Sequence, residues 1–229
     1  MPLKEIADRQ NLLHAKSDPA LILRHTLEDV RLGDTAIVSS FGAESVVLLH
    51  MAAQINNDVP VIFLDTEMLF AETLTYQKEL AETLGLTDVR VIRPNPDAVF
   101  LRDNDGLLHQ ADTDACCTLR KTEPLKNALA PFGSWVTGRK QYQGGKRATL
   151  PVFEKEAGTP RLKINPLARW DAGQIAAYMD THNLPRHPLV KQGYPSIGCM
   201  PCTARVSDLG QSRAGRWEGQ EKTECGIHL

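Results

Sequence analysis

Short apolar runs alternate along most of the chain with longer segments that have a helical spacing of apolar residues. The runs are rich in β-branched residues and short enough for buried strands. They predict strands at residues 35–41, 59–65, 88–93 and 134–138. The longer segments predict helices at residues 44–53, 70–84, 112–129 and 171–182. We expect Gly85 to end the second helix and Pro124 to interrupt or bend the third.

Strands that alternate with helices are typical of βαβ units, which build a parallel sheet. We therefore predict an α/β fold in which helices flank a parallel, twisted sheet. From about residue 185 onward, Gly, Pro, Cys and Arg are frequent and apolar periodicity is weak, which indicates an irregular C-terminal lobe and a mobile tail. We expect a single domain over residues 1–229, with an α/β core at 35–184 and the lobe and tail at 185–229.

Composition and charge narrow the classes of partner. Hydrophobic residues make up 42% of the 229 residues, which is enough for a substantial core. The formal net charge of -2 gives no bulk attraction to nucleic acid or to a membrane surface. Residues 1–11 lack the apolar run of a signal peptide, and no stretch approaches the roughly 18 apolar residues of a membrane span. We expect a soluble, cytoplasmic protein without a nucleic-acid or membrane partner.

Three segments follow predicted strands, where ligands bind on parallel sheets: SSFGAES, LDTEM and TGRKQYQGG. The first places backbone N–H groups and a helix N-terminus where an anion can sit, although it lacks the Gly-Lys-Ser/Thr ending of a Walker A loop. The third is rich in Arg and Lys and predicts a mobile basic loop in which Gly138, Gly144 and Gly145 allow movement.

Five cysteines divide into two close pairs and one single residue: Cys116 with Cys117, Cys199 with Cys202, and Cys225. In a reducing compartment, such cysteines tend to be ligands or catalysts. Adjacent side chains on a helix diverge by about 100°, so an adjacent pair suits two iron corners of a cubic cluster better than one zinc ion. This favours a [4Fe-4S] cluster over zinc. A disulfide within the CxxC pair and ordinary buried thiols are the alternatives.

Three motifs occur together: CCTLRK at residues 116–121, GCMPC at 198–202 and ECGIH at 224–228. This combination resembles the assimilatory adenylylsulfate (APS) reductases, which belong to the wider phosphoadenylylsulfate (PAPS) reductase family. The resemblance extends from about Thr35 to the end of the chain and includes the segments RAGRW and INPLARW. It implies an adenine nucleotide alpha hydrolase-like fold, with a cluster-binding lobe and a catalytic tail after residue 184.

The resemblance also implies a reaction and its partners. One [4Fe-4S] cluster per subunit is held by Cys116, Cys117, Cys199 and Cys202. Cys225 is the nucleophile that reduces APS to sulfite and AMP through an S-sulfocysteine, within sulfate assimilation and cysteine biosynthesis. Thioredoxin, or a glutaredoxin-like reductant, donates the electrons. The oligomeric state is left open, and a homo-oligomer is one possibility.

An oxyanion substrate needs positive charge, and Arg binds such groups in bidentate fashion. By resemblance, Lys121, Arg213 and Arg216 bind the sulfonucleotide, and His228 assists the thiolate or the sulfate. Arg139 reaches the substrate phosphate. The remaining substrate residues implied are Ser39, Ser40 and Gly42 in the first loop, and Leu64 and Asp65 beside the adenosine. The three tryptophans, Trp135, Trp170 and Trp217, are expected to be packing residues.

The chain departs from many relatives at two places. It reads SSFGAES where they read SFSGAED, and LDTEM where they often read LDTGR, which puts the contacts of Glu67 and Met68 in question. PAPS-specific members usually lack the cluster cysteines, so the four present here favour APS. The alternatives are a PAPS or dual-specificity reductase that releases adenosine 3′,5′-bisphosphate, a non-catalytic metal-binding regulatory module, and an ATP pyrophosphatase of related fold.

Overall fold

A sheet of six strands lies at the centre of the part of the chain that the structure describes. The computed structural model describes residues 2–207, 213, 215–219, 222 and 224–228. The strands are β1 (Thr35–Val38), β2 (Val61–Leu64), β3 (Val89–Ile92), β4 (Ser134–Thr137), β5 (Phe153–Lys155) and β6 (Leu162–Ile164). Their order is β3-β2-β1-β4-β6-β5, and every neighbouring pair is parallel except β5 with β6. The predicted α/β fold is confirmed.

Helices cover both faces of this sheet. They are α1 (Leu3–Leu13), α2 (Pro19–Glu28), α3 (Ser45–Ala53), α4 (Ala71–Leu84), α5 (Pro96–Arg102), α6 (Leu108–Ala111), α7 (Thr113–Cys117), α8 (Glu123–Ala128) and α9 (Ala172–Thr181). Gly85 ends α4 in the left-handed conformation, at a φ of 66°, as predicted. Among the residues described, no helix combines the length and apolar character needed to cross a membrane.

Successive side chains along a strand point to opposite faces of the sheet, so the strands contribute residues to two hydrophobic cores. Ile37 and Val136 face the main core, where α3 is buried on nearly all sides. Ala36 and Trp135 face a second core, closed by residues of α8 and by Phe132. The sheet therefore sits between two helical layers, as in other α/β folds.

The strand order reverses at β1. The chain first builds β1, β2 and β3 in one direction and then returns to place β4 on the other side of β1. Connections on either side of such a switch point diverge, which opens a crevice beyond the carboxyl ends of the strands. Any ligand site of this fold is therefore expected beyond β1 and β4.

The helix predicted over residues 112–129 is interrupted just before Pro124. A π-helical turn, Thr118–Thr122, joins α7 to α8. Pro124 has no N–H, so the carbonyl of Arg120 loses its usual helical partner, and a wider turn accommodates the gap. The turn carries Arg120 and Lys121, which are both buried.

Arg120 fixes this turn against the loop that follows β2. Its guanidinium donates to Asp103 Oδ2 at 2.9 Å, to the carbonyl of Thr66 at 3.0 Å and to Glu67 Oε2 at 3.2 Å. Asp103 also accepts the Leu108 N–H at 2.8 Å, so both carboxylate oxygens are engaged. Glu67 adopts a φ of 60°, which explains why Gly suits this position in relatives.

Replacing Asp103 by Asn should lower the free energy of unfolding by about 3 kcal/mol, because it removes the fully buried one of the two carboxylates that balance the Arg120 charge and leaves only the part-exposed Glu67. Urea denaturation followed by circular dichroism measures the change. The exposed Glu79 is the matched control, and its change to Gln should shift the free energy by no more than about 0.5 kcal/mol. Equal stability of the two variants would show that the Asp103–Arg120 pair does not hold the turn.

Candidate active site

A cavity of about 210 Å³ opens beyond the carboxyl ends of β1, β2 and β4. Loops after these strands form its floor, and residues 195–199 and the C-terminal tail form its wall. It therefore lies in the crevice that the reversed strand order creates. Apolar side chains, including Leu48, Leu69 and Ile197, share the lining with cationic groups, as expected of a pocket for a small charged molecule.

Most of the substrate residues implied by the resemblance meet in this cavity. The lining includes Ser39, Ser40, Gly42, Leu64, Lys121, Arg139, Arg213, Arg216, Cys225 and His228. Of the four cysteines predicted to hold a cluster, Cys199 is the one in the lining. Asp65, Cys116, Cys117 and Cys202 are not part of it.

Asp65 organises the loop after β2 instead of facing the cavity. Its Oδ2 accepts Arg93 Nε at 2.9 Å, and its Oδ1 accepts the Glu67 N–H at 3.0 Å. Both oxygens are therefore committed to protein groups. The cavity wall next to β2 is formed by its neighbours Leu64 and Thr66.

The loop after β1 satisfies much of its own backbone. The Phe41 N–H donates to Ser39 Oγ at 3.1 Å, and the Gly42 N–H donates to Ser45 Oγ at 3.0 Å. Two N–H groups that the sequence offered to an anion are thus occupied. Ser45 stands where relatives have an acid, so this departure has a structural consequence in the loop.

A carboxylate also occupies the start of α3. Glu44 lines the cavity, where Lys140 Nζ donates to its Oε2 at 2.8 Å and the Tyr142 hydroxyl donates to its Oε1. Burial would raise the pKa of Glu44, but the Lys140 charge and these hydrogen bonds hold it below its usual value. This end of the cavity therefore carries a compensated charge pair.

The predicted basic loop after β4 contributes less positive charge than its sequence suggests. It folds into two short 3-10 turns, Gln141–Gln143 and Gly145–Arg147. Its buried cations are paired with acids from elsewhere: Arg139 with Glu154, Lys140 with Glu44 and Arg147 with Glu224. Arg139 also donates to Asn165 Oδ1 at 3.2 Å. Arg139 lines the cavity, but its positive charge is already balanced by Glu154.

Positive charge instead converges on the sulfur atoms at the tail end. Lys121 is only 8% exposed. Burial would lower its pKa, but the thiols of Cys225, Cys199 and Cys117 raise the pKa above its ordinary value. Lys121 is therefore a fixed cation close to Cys225 and to one member of each cysteine pair, Cys117 and Cys199.

The Arg216 side chain reaches the cysteines by packing closely against Gly198. Its Nε donates to the Cys202 carbonyl at 3.3 Å. A Cβ at Gly198 would overlap its guanidinium, so the Gly in GCMPC leaves the space that the Arg216 side chain occupies in this position. Trp217 is buried as predicted, and it also lies under Arg216, with 4.5 Å between guanidinium carbon and ring centroid, and under Arg213 at 5.4 Å.

The tail returns Cys225 to the cavity. Residues Gly226–His228 form a 3-10 turn, and the His228 N–H donates to the Cys225 carbonyl at 2.9 Å. A hydrogen bond from the Cys117 thiol lowers the pKa of Cys225 well below its usual value, and Lys121, the Ile227 N–H and Arg216 act in the same direction against burial. The same hydrogen bond raises the pKa of Cys117. Within this hydrogen-bonded pair, the negative charge is therefore favoured on Cys225 and the proton on Cys117.

His228 is held neutral. Its ring stacks on Trp135, with centroids 6.0 Å apart and planes 6° apart. Burial, and then the charges of Lys163 and Arg139, lower the pKa of His228 well below 6.5. Its Nδ1 is buried and has no hydrogen-bond partner among the described residues. A neutral imidazole can donate or accept a hydrogen bond here, but it adds no positive charge for an oxyanion.

The four paired cysteines lie on two segments that face each other. All five cysteines are free thiols, so the CxxC pair is not a disulfide in this structure. Cys116, Cys199 and Cys202 influence one another: after burial, the charge of Cys199 contributes to raising the pKa of Cys116 to about 11 and also raises the pKa of Cys202. Thr66 Oγ1 lies 3.1 Å from Cys199 Sγ.

The chemistry of this donor set fits an iron–sulfur cluster. Lys121 and Lys222 act on both Cys117 and Cys202, and Arg216 acts on Cys202, so their positive charges would offset the negative charge of bound thiolates. Within the described ranges, no three or more His, Cys, Asp or Glu side chains are arranged to hold a single metal ion. The cluster ligands therefore remain a prediction from the sequence.

Comparison with known proteins places this site in a family. The phosphoadenosine phosphosulfate reductase domain matches residues 34–205. An adenosine 5′-phosphosulfate reductase of Mesorhizobium japonicum is 48% identical over 100% of this chain and 93% of the relative, and one of Chelativorans sp. is 50% identical over 86% and 80%. A phosphoadenosine 5′-phosphosulfate reductase of Gloeobacter violaceus is 38% identical over 86% of this chain and 83% of its own.

Solved structures agree on the fold. The crystal structure of phosphoadenylyl-sulfate (PAPS) reductase from Candida auris, in a phosphate complex, has a TM-score of 0.73 and 27% identity over 88% of this chain and 97% of that one. Candida glabrata FMN adenylyltransferase in complex with ATP has a TM-score of 0.55 at 13% identity, covering 98% of this chain and 84% of that one, which shows a shared fold alone. The predicted resemblance is confirmed: this chain belongs to the phosphoadenosine phosphosulfate reductase family.

Proposed function

We propose that this protein is an oxidoreductase that reduces adenosine 5′-phosphosulfate to sulfite and AMP, in sulfate assimilation for cysteine biosynthesis. One observation carries the proposal: the Cys225 thiol lines the cavity beyond the carboxyl ends of the strands together with Lys121, Arg213 and Arg216. Reducing a sulfonyl group requires a soft nucleophile close to cations that neutralise the substrate's oxyanions. The full-length similarity to proteins named adenosine 5′-phosphosulfate reductase supports the same substrate.

The first step transfers a sulfonyl group to the enzyme. The Cys225 thiolate attacks the sulfur of the substrate, the bond between sulfur and the bridging phosphate oxygen breaks, and AMP leaves with that electron pair. Cys225 then carries an S-sulfo group. Lys121, Arg213 and Arg216 hold the sulfate and phosphate oxygens and stabilise the charge that develops on AMP.

The second step needs an external dithiol. A thioredoxin thiolate attacks Cys225 Sγ, sulfite departs with the electron pair of the S–S bond, and the second thiol of thioredoxin then releases Cys225 as a thiol. Thioredoxin is oxidised to its disulfide and supplies both electrons. A glutaredoxin-like protein can perform the same exchange, so turnover with each reductant at equal concentration identifies the donor. We place this reaction in the cytoplasm, where thiols stay reduced.

The charge distribution orients the substrate. Cations near the sulfur atoms favour the phosphosulfate at the tail end, whereas Glu44 leaves no unmatched charge at the start of α3. The adenosine then lies toward Ser39, Ser40 and Leu64, where apolar side chains line the cavity. A Glu44→Gln variant should free Lys140 at the adenosine end of the cavity, away from the phosphates, so competitive inhibition by ATP relative to AMP should change by less than about threefold. Steady-state inhibition assays measure the ratio, and a larger gain for ATP would place the phosphates beside Lys140 and contradict this orientation.

The four paired cysteines are proposed to hold one [4Fe-4S] cluster per subunit. When bound, the cluster supplies a large, polarisable charge next to the reacting group, which Lys121 can balance from the cavity side. No electron transfer through the cluster is needed, because the dithiol supplies both electrons.

A Cys116→Ala variant should lose its iron and its broad absorbance near ~400 nm, together with activity. Iron analysis and visible spectra of anaerobically purified protein measure this, against about four irons per chain expected for the wild type. Cys225→Ser is the matched control, since it removes a thiol outside the proposed ligand set and should keep iron and colour. Colourless wild-type protein containing one zinc ion would contradict the cluster.

The second candidate is a reductase of the 3′-phosphorylated nucleotide, or one of dual specificity. The similarity to the proteins of Gloeobacter violaceus and Candida auris favours it, because both are named for that substrate. Turnover of the two nucleotides under identical conditions separates the candidates. A preference for the 3′-phosphorylated substrate would replace the first proposal, whereas the chemistry at Cys225 would stand.

A further inference from the structure

A buried glutamate precedes the nucleophile in the tail. Glu224 is 5% exposed, and both of its carboxylate oxygens are engaged by Arg147: Nε lies 2.5 Å from Oε2 and Nη2 lies 2.6 Å from Oε1. Arg213 Nη2 is 3.6 Å from Oε1. The Cys225 N–H donates to the same oxygen at 2.9 Å. This bidentate pair joins residues that are 77 positions apart in the sequence.

Arg147 provides a fixed point for this contact. It ends the second 3-10 turn after β4, is itself buried, and donates from Nη1 to Gln143 Oε1. The loop that carries this turn is tied to neighbouring segments, because the Gln141 N–H donates to the Ala168 carbonyl at 2.8 Å and Gln141 Nε2 donates to the Leu150 carbonyl at 2.9 Å. A bidentate guanidinium–carboxylate pair fixes direction as well as distance, so the carboxylate sets the position of the backbone immediately before Cys225.

We propose that Glu224 is a positioning residue that fastens the tail to Arg147 and thereby holds Cys225 Sγ in the cavity for the first chemical step. The inference rests on the proposed function, because it assigns Glu224 a part in sulfonyl transfer. The carboxylate touches the Cys225 amide and not the sulfur, so it acts through the nucleophile's backbone.

An ion pair suits a tail that has to open again. The second step requires Cys225 to meet a protein thiol, so the tail has to leave the cavity wall. When a carboxylate and a guanidinium separate into water, hydration replaces much of their mutual attraction, so the pair can be broken repeatedly. Once closed and buried, the same pair is strong and directional. In this proposal, the Glu224–Arg147 pair is formed while the tail is closed for step one, and it is broken when the tail opens for step two.

The test compares Glu224→Gln with Glu218→Gln. The first change keeps the size and one oxygen acceptor but removes the charge that Arg147 binds. The second removes the same charge from an exposed position in the same part of the chain. Three quantities are measured for each holoenzyme: the rate at which one SO3 group is added to the Cys225 peptide in rapid-quench mass spectrometry, the Kd for AMP, and the rate of trypsin cleavage after Lys222.

For Glu224→Gln we expect sulfonation at saturating substrate to fall about 10- to 100-fold, as for a nucleophile displaced by roughly 1 Å. The Kd for AMP should stay within about threefold, and trypsin cleavage after Lys222 should become at least about fivefold faster. Discharge of the S-sulfo enzyme by dithiothreitol should be no slower than in the wild type. Glu218→Gln should match the wild type in every measurement.

Other results separate the two proposals. Wild-type protein that acquires no SO3 group would overturn the proposed chemistry, while proteolysis would still report whether Glu224 fastens the tail. Unchanged sulfonation and cleavage in Glu224→Gln would overturn the positioning role. A parallel loss of AMP affinity and sulfonation would show general damage to the cavity, and it would overturn the role as well. In the double variant with Arg147→Gln, sulfonation should fall no further than in the slower single variant, because the two residues act as one unit.

Discussion

A Cys225→Ser enzyme should bind its nucleotide yet release no sulfite, with turnover reduced at least about a thousandfold. A serine hydroxyl keeps the size of the side chain but remains protonated at neutral pH, so Lys121 and Arg216 find no anion to stabilise. The cations that hold the substrate are unaffected, so the Kd for AMP should change by less than about threefold. Sulfite release with saturating thioredoxin, and AMP binding by calorimetry, measure the two quantities.

The covalent adduct gives this prediction a second readout. Wild-type enzyme incubated with substrate and no reductant should carry one SO3 group on its C-terminal peptide, and thioredoxin should remove it. Cys225→Ser should carry none while it retains its iron. If the serine variant still made sulfite, another thiol would have to be the nucleophile. If the wild-type protein made AMP and pyrophosphate from ATP, the protein would be a pyrophosphatase instead.

Three of the four strands predicted from the sequence carry uniform apolar character, whereas the fourth, β3, includes Arg90 and is only partly buried. Residues 35–38, 61–64 and 134–137 are almost wholly buried, because they lie in the middle of a parallel sheet covered on both faces. β5 and β6 escaped prediction because each has three residues and includes a lysine, and such segments carry too little periodicity. Lys163 in β6 is buried because it lies over the Trp135 ring, 4.8 Å from the ring centroid, which only the folded sheet brings about.

Within the candidate site, positions were easier to predict than charges. The motifs named Lys121, Arg213, Arg216 and Cys225, and all four line the cavity. They did not reveal that the cations of the basic loop are matched by acids. The signal was present: SSFGAES and ECGIH each contribute one glutamate, and these two residues pair with Lys140 and Arg147. Pairing between distant segments depends on tertiary structure, which one sequence does not specify.

The π-helical turn had a partial signal as well. Pro124 indicated an interruption, but the helix widens before the proline instead of bending at it. That widening decides where Lys121 points, because one extra residue in the turn rotates the side chains that follow. The tail turn then packs on the π turn: a Cβ at Gly226 would lie 3.1 Å from Thr122 Oγ1. A side chain at this position in ECGIH would therefore crowd Thr122 where tail and helix meet.

The position of Lys121 leads to the second large effect. Its ammonium group is buried between Cys225, Cys199 and Cys117, and it lines the cavity where the phosphosulfate is proposed to bind. Replacement by Met keeps the length and apolar stem of the side chain and removes the charge. Sulfonation of Cys225 at saturating substrate should fall about 100- to 1000-fold, the range found when one preorganised donor to a developing charge is removed.

Lys126 provides the matched control, because it lies one and a half turns further along the same helical segment and is exposed. Lys126→Met should react at the wild-type rate. Iron content and the visible spectrum of Lys121→Met show which group the lysine mainly stabilises. Retained iron with slow sulfonation would mean that it acts mainly on the substrate and Cys225, whereas loss of iron would mean that it acts mainly on the paired cysteines. Wild-type sulfonation in Lys121→Met would mean that Arg213 and Arg216 suffice, and that the buried ammonium has no part in the reaction.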